Sequence, residues 1–192
     1  FLAEKIKDFA RTASHQYLFA FEESYGYLSG DYARDKDAVT ASMLIAEMAA
    51  YYRTKGMTLY DAMETMYEKY GYYCEQTISI TMPGVAGLTR MQELMAELRA
   101  TPLTDVAGNK VEFVRDYQPG TRKNVATGET EQIELKGQNV LYYELEGGTS
   151  FIIRPSGTEP KVKVYIMARA EDKASAAAKV EALAAASKEI VK

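Results

Sequence analysis

Phe151-Ile152-Ile153-Arg154-Pro155-Ser156-Gly157-Thr158-Glu159-Pro160-Lys161 leads directly into the alternating run Val162-Lys163-Val164-Tyr165-Ile166-Met167. An apolar run, a polar loop and an alternating run predict strand, loop, strand. The loop is rich in groups that hold anions. Arg154 offers a planar fork of N–H donors that suits phosphate. Ser156 and Thr158 offer hydroxyls, and Gly157 lets the backbone turn and bring its N–H close to a ligand. Two prolines stiffen the loop, so less entropy is lost on binding. Composition alone supports a plain polar β-turn with a surface arginine equally well.

Working outward, strands are predicted at 140–146, 149–154 and 162–168, with Gly147-Gly148 as a hairpin turn. Val111 to Tyr117 reads as a further strand, and 118–139, rich in Gly, Thr, Lys and Asn, as a long exposed excursion. A last helix starts near Asp172, with Ala176, Val180, Leu183 and Ala184 on one face. Upstream, Thr77 to Met82 alternates like a strand, Pro83-Gly84 turns the chain, and 88–100 reads as a helix with Met91, Leu94, Met95 and Leu98 inward. Neighbouring strands with tight turns imply an antiparallel sheet with helices on one side, an α+β domain.

The first part differs. Residues 1–11 have helical spacing at Leu2, Ile6 and Phe9, and Tyr17 to Phe21 reads as a strand. Residues 28–36 are polar. A helix from Asp37 to about Thr54 is apolar nearly all round, so it is expected to be well buried. Asp37 suits its N-cap, Gly56 its end, and Thr58 with Asp61 a capping box for the next helix. That helix has Leu59, Met63, Met66, Tyr67 and Tyr70 on one face and Gly71 to stop it. Strand, helix, strand in this order suits a parallel α/β layer, with the boundary to the second part near 71–76. In such layers ligands meet loops after the strands, which is the position of Glu22-Glu23-Ser24.

The 192 residues suit one or two domains, and the 47% hydrophobic content allows a buried core. A net charge of -4 and a pI of 5.2 argue against a nucleic-acid-binding surface. A bound phosphate must therefore be gripped locally. The single cysteine, Cys74, excludes an internal disulfide and fits a reducing compartment, so a cytoplasmic location is expected. No apolar run approaches the roughly 20 residues of a membrane span, and no signal peptide is visible. A helix with no lead-in and no initiator Met suggests an excerpt of a longer protein. In such an excerpt, the uncovered sheet edge and the apolar helix at 38–54 invite self-association or disorder.

Carboxylates beside a hydroxyl, as in Glu22 and Ser24, suit a polyol. The alternative is an acidic surface loop. Arg34 and Lys36 face an anion or sugar oxygen in one reading, and in the other merely start a charged helix; a lysine there is also able to exchange a proton. Lys163 reads as the solvated face of a strand. His15 is the only histidine, and Thr12-Ala13-Ser14-His15 invites a nucleophilic serine reading without an assignable acid. No zinc spacing, Walker loop or dinucleotide fingerprint is present.

Three stretches, FEESYGY at 21–27, RDKDA at 34–38 and RPSGTEPKVKVY at 154–165, resemble those of the α-D-phosphohexomutase family in order and separation, most closely its bacterial phosphoglucomutase branch. The resemblance implies a four-domain enzyme. Residues 1–73 would be the C-terminal part of the third, sugar-binding α/β domain. Residues 74–192 would be the fourth, phosphate-binding α+β domain, with a fold similar to the TATA-box-binding protein. It implies hexose-hydroxyl binding by Glu22 and Ser24, with Arg34 beside them. It implies a grip on the non-reacting phosphate by Arg154, Ser156, Gly157, Thr158 and Lys161, and proton transfer or charge stabilisation by Lys36. The implied activity interconverts glucose 1-phosphate and glucose 6-phosphate through a bisphosphorylated sugar. Mannose or pentose phosphates, or a non-catalytic phosphosugar-binding module, are the alternatives. Mg2+ and glucose 1,6-bisphosphate are implied for the full enzyme, and the chain's partners would be its own N-terminal domains and a hexose phosphate, with no nucleic acid or membrane. The phosphoserine and aspartate-rich metal loops have no match here. Ser14 lacks the Asn-Pro that follows the family's phosphoserine motif, so it is rejected as nucleophile.

Overall fold

In the computed structural model, which describes residues 2–22, 25–157 and 159–192, the chain divides into two units, Phe1–Met66 and Tyr67–Lys192. The first unit opens with helix α1 (Leu2–Thr12), whose Ile6 is buried. Strands β1 (Phe19–Phe21) and β2 (Tyr27–Ser29) pair antiparallel. β2 lies in a segment the sequence presents as polar. It spans only three residues, too few for a period of two to show. The pair is a hairpin, and among the described residues no strand of this unit runs parallel to another.

Helix α2 (Ala38–Thr54) follows. Asp37 caps it: its side chain accepts from the backbone N–H of Val39 and Thr40. α2 departs from expectation, because none of its residues is buried. Val39 is 81% exposed and Met43 57%. The all-round apolar pattern calls for covering layers, and within this unit its chief packing neighbour is the short strand β2. Helix α3 (Leu59–Tyr70) starts with the capping box, in which Thr58 N–H donates to Asp61 Oδ2 at 2.8 Å and Asp61 N–H to Thr58 Oγ1 at 3.2 Å. Its buried residue is Ala62, while Met66 and Tyr70, placed on the apolar face by spacing, are exposed.

The second unit is an antiparallel sheet with helices. Its strands are β3 (Tyr72–Thr81), β4 (Asp105–Val106), β5 (Asn109–Asp116), β6 (Thr121–Asn124), β7 (Thr130–Gln132), β8 (Leu141–Leu145), β9 (Thr149–Pro155) and β10 (Lys161–Ala170). The order across the sheet is β3-β10-β9-β8-β5-β6-β7, with β4 paired to β5. The strand expected at 77–82 is therefore longer and forms the edge of this second sheet. The expected excursion at 118–139 contains the β6–β7 hairpin, whose polar strands carry no apolar alternation to betray them. A single 3-10 turn at Glu146–Gly148 joins β8 to β9, with Gly147 at φ 70°, a conformation that favours glycine.

Helices α4 (Gly84–Ala100) and α5 (Lys173–Ile190) complete the unit. Asp172 caps α5 through Ser175 N–H at 2.9 Å. Along β10 every second residue, Val162, Val164, Ile166 and Ala168, is buried. These join Met91, Leu94, Met95 and Leu98 of α4, Val180 and Leu183 of α5, and Phe151 and Ile153 of β9 in one core. The opposite register positions of β10, Lys161, Lys163, Tyr165 and Met167, remain partly exposed. The alternation thus delivers lysines to the face away from the core, next to the 154–161 loop.

Candidate functional site

The first cluster forms where the chain turns back after β1. Glu22 N–H donates to Gly26 O at 2.8 Å. Tyr25 has φ 62°, a left-handed conformation uncommon for a tyrosine. Gly26 is required by close approach: a Cβ there would lie 2.5 Å from Lys36 Cγ and 3.3 Å from Glu22 Oε2. The lysine stem therefore lies over the glycine, and its ammonium reaches Asp35 at 2.9 Å and Glu22 at 3.8 Å. Asp35, and then Glu22, raise the Lys36 pKa, so the ammonium stays charged. Asp37 N–H donates to Tyr27 O at 2.8 Å, tying the start of α2 to β2 and fixing Lys36 beside the loop. Arg34 is exposed and makes no ion pair or hydrogen bond among the described residues. Ser24 lies outside the described residues.

The second cluster is the β9–β10 connection. Ser156 N–H donates to Lys161 O at 2.9 Å, and Lys161 N–H to Glu159 O at 2.8 Å. Glu159 N–H donates to Ser156 Oγ at 3.2 Å. Lys161 Nζ pairs with Glu159 Oε2 at 2.5 Å, and Lys161, with Lys163 behind it, holds the Glu159 carboxyl below its usual range. Gly157 lies in open space, where a Cβ would meet nothing within 4 Å, and its φ is not left-handed. Glycine is therefore not needed there for the turn expected from sequence. What it provides is an unobstructed backbone. Thr158 lies outside the described residues.

Arg154 is exposed at the end of β9, and Lys163 is its register partner on β10. Alternation alone reads Lys163 as the solvated face of a strand. Only the pairing register reveals that it shares a face with Arg154. Ser79 of β3 extends the same row on the other side.

Ser14 and His15 do not form a nucleophile and base. Ser14 Oγ shares a hydrogen bond with Thr12 Oγ1 at 2.8 Å, and the His15 ring lies against Phe9 at 5.0 Å. Magnesium, which the family resemblance implies, finds no fit: among the described residues no three His, Cys, Asp or Glu side chains converge. Asp35 and Glu22 already share the Lys36 ammonium. Among the described residues no helix is long and apolar enough to cross a membrane. A surface pocket of about 240 Å3 lined by Phe113, Arg122, Asn124 and Glu131 shares no residue with either loop. Its arginine is already engaged by Glu144 and Glu131.

Residues 2–70 match the phosphoglucomutase/phosphomannomutase alpha/beta/alpha domain III, and residues 92–190 match the C-terminal domain of the same family. A phosphoglucomutase of Staphylococcus saprophyticus is 34% identical over 173 residues, which is 90% of this chain and 31% of that protein. A phosphoglucomutase of Staphylococcus aureus is 35% identical over 185 residues, covering 95% of this chain and 33% of the relative. The chain thus spans about a third of the length of these curated relatives. The crystal structure of parafusin, a phosphoglucomutase from Paramecium, in its open form, superposes with a TM-score of 0.60 over 97% of this chain and 32% of that one. At 16% identity this likeness speaks for the fold. The chain belongs to the phosphoglucomutase/phosphomannomutase family and carries its domain III and C-terminal domain sequences.

Proposed function

We propose that this chain is the substrate-holding part of a phosphohexomutase that interconverts glucose 1-phosphate and glucose 6-phosphate. Glu22 and Ser24, with Arg34 beside them, take the sugar hydroxyls. Arg154, Ser156, Gly157, Thr158, Lys161 and Lys163 take the phosphate that is not being transferred. The observation that carries this reading is the in-register pair of cations, Arg154 and Lys163, beside an open glycine backbone. Like charges placed directly opposite across a strand pair destabilise it, and an anion between them offsets the cost.

The residues of this chain bind and orient; they do not break bonds. Lys36, kept protonated by Asp35 and Glu22, suits charge stabilisation better than proton exchange. In the full enzyme the sugar passes through glucose 1,6-bisphosphate and is then held in the opposite sense. A loop that reads hydroxyls and a loop that reads phosphate serve both senses. Phosphoryl transfer, with its Mg2+, belongs to segments of the parent enzyme that this chain does not match. Residues 74–192 correspond in this reading to the TATA-box-binding-protein-like fourth domain, and residues 1–73 to the C-terminal part of the third, parallel α/β domain. A cytoplasmic location fits this reading.

The test is titration of the chain with glucose 1-phosphate, followed by amide chemical shifts, together with an assay for turnover. Shifts confined to residues around Arg154 and Glu22, without turnover, are expected. A folded chain whose spectrum does not respond to the sugar phosphate would sink the reading. Parallel titration with mannose 1-phosphate and ribose 1-phosphate ranks the sugars. Turnover by the chain alone would overturn its assignment as a binding part.

A further inference from the structure

Arg169 stands near the end of β10, at the opposite end of the strand from the phosphate loop. Its guanidinium donates from Nε and Nη2 to the carbonyl oxygen of Tyr70, at 3.2 and 3.0 Å. Tyr70 is the last residue of α3. The final carbonyls of a helix lack intrahelical partners and carry the negative end of its dipole. Arg169 therefore serves as a cap for α3 from a strand 99 residues away in sequence.

The joint is shaped around that side chain. Gly71 ends α3 with φ +98°, and a Cβ there would lie 2.7 Å from Arg169 Nε. Any larger residue would displace the guanidinium as well as strain the backbone. The guanidinium sits 5.9 Å from the Tyr73 ring centroid. The Arg169 carbonyl accepts from Lys179 Nζ of α5 at 3.4 Å. One arginine thus engages the end of α3, the start of β3 and helix α5.

We propose that Arg169 is a latch that fastens the last turn of α3 to the sheet of β3 and β10, and that closing this joint depends on its forked guanidinium and not on its charge alone.

The test uses Arg169→Ala and Arg169→Lys in the 192-residue chain. Amide hydrogen exchange at Gly71, Tyr72 and Tyr73 is expected to speed up about tenfold or more in Arg169→Ala, with Val164 and Ile166 unchanged. Arg169→Lys keeps the charge and loses the fork, so it falls between. Unchanged exchange at Gly71–Tyr73 in Arg169→Ala would overturn the latch, and exchange in Arg169→Lys equal to that of the parent would overturn the need for the fork.

Discussion

Arg154 and Lys163 face each other in register across β9 and β10, and no carboxylate pairs with either among the described residues. Strand pairs usually place opposite charges, or none, at such positions. The arrangement predicts opposite effects on binding and stability. Lys163→Ala should stabilise the free chain slightly, by about 0.2–1 kcal/mol, the size of a cross-strand pair term. It should also weaken hexose phosphate binding. Arg154→Ala should weaken it more, by about 1.5–3 kcal/mol for a lost charged hydrogen bond, or roughly tenfold to a hundredfold. Calorimetric titration beside thermal melts checks both. An unchanged Kd in Arg154→Ala would refute the assigned role.

Asp37 gives α2 an acid-sensitive start. Thr40 Oγ1 and the Tyr32 hydroxyl both donate to its Oδ2, and Val39 N–H donates to Oδ1 at 2.9 Å. These bonds, led by Thr40 and then Tyr32, lower its pKa from 3.8 to about 2. A folded pKa below the unfolded one adds stability at pH values above about 4, which is lost as pH falls toward 2. The first turn of α2 should therefore fray between those values, as read by NMR amide shifts of Val39 and Thr40. Asp37→Asn should remove most of that pH dependence. Identical acid profiles for the two proteins would count against this account.

Glu144 holds two arginines. Its carboxylate accepts from Arg122 Nε at 2.7 Å, Arg122 Nη2 at 2.8 Å and Arg115 Nε at 2.5 Å. Arg122 in turn lies 3.6 Å from the Phe113 ring centroid. Glu144→Gln leaves two partly buried guanidinium groups without their shared anion. The expected loss is about 1–3 kcal/mol, the usual cost of stranding a polar partner. Urea unfolding measures it, with the slope of the transition unchanged. A midpoint equal to that of the parent would show that solvent replaces the carboxylate freely.

Leu183 of α5 is 0% exposed and belongs to the same core as Val164 and Ile166. Leu183→Ala should cost about 2–5 kcal/mol, combining lost burial with a residual cavity. Denaturant unfolding of the second unit is the measurement. A loss below about 1 kcal/mol would mean that α5 collapses onto the sheet to refill the space.

α2 presents Val39, Met43, Ile45 and Met48 as exposed apolar residues. Apolar residues exposed on more than one face of a helix favour concentration-dependent association. The double substitution Val39→Gln, Ile45→Gln should lower light scattering at high protein concentration. It should change stability by no more than about 0.5 kcal/mol, as expected for surface positions. Undiminished scattering would locate the association elsewhere, with the β3 edge the next place to examine.

Much of the second unit was legible because its signals are local. The apolar run at 151–153 marked β9, alternation marked β10, the paired glycines marked the turn between β8 and β9, and Asp172 marked the start of α5. The capping box at Thr58–Asp61 was legible for the same reason. The β6–β7 hairpin was not, because its strands are polar on both faces and no period distinguishes them from a loop. β2 was too short to read. The apolar pattern of α2 does not translate into burial, because apolar content records what a helix requires, whereas exposure depends on which layers surround it.

The candidate site divides along the same line. The residue types of the 154–161 loop and of the 21–27 and 34–38 stretches, read in order, were enough to suggest the family, whereas composition alone left an anion grip and a plain turn equally open. Sequence could not show that Lys163 opposes Arg154, that Lys36 lies over Gly26 between Asp35 and Glu22, or that Arg169 caps α3. Those relationships depend on strand register and on contacts between residues far apart in the chain. Register is set by the packing of a whole sheet on its core, so it emerges only when the chain is folded.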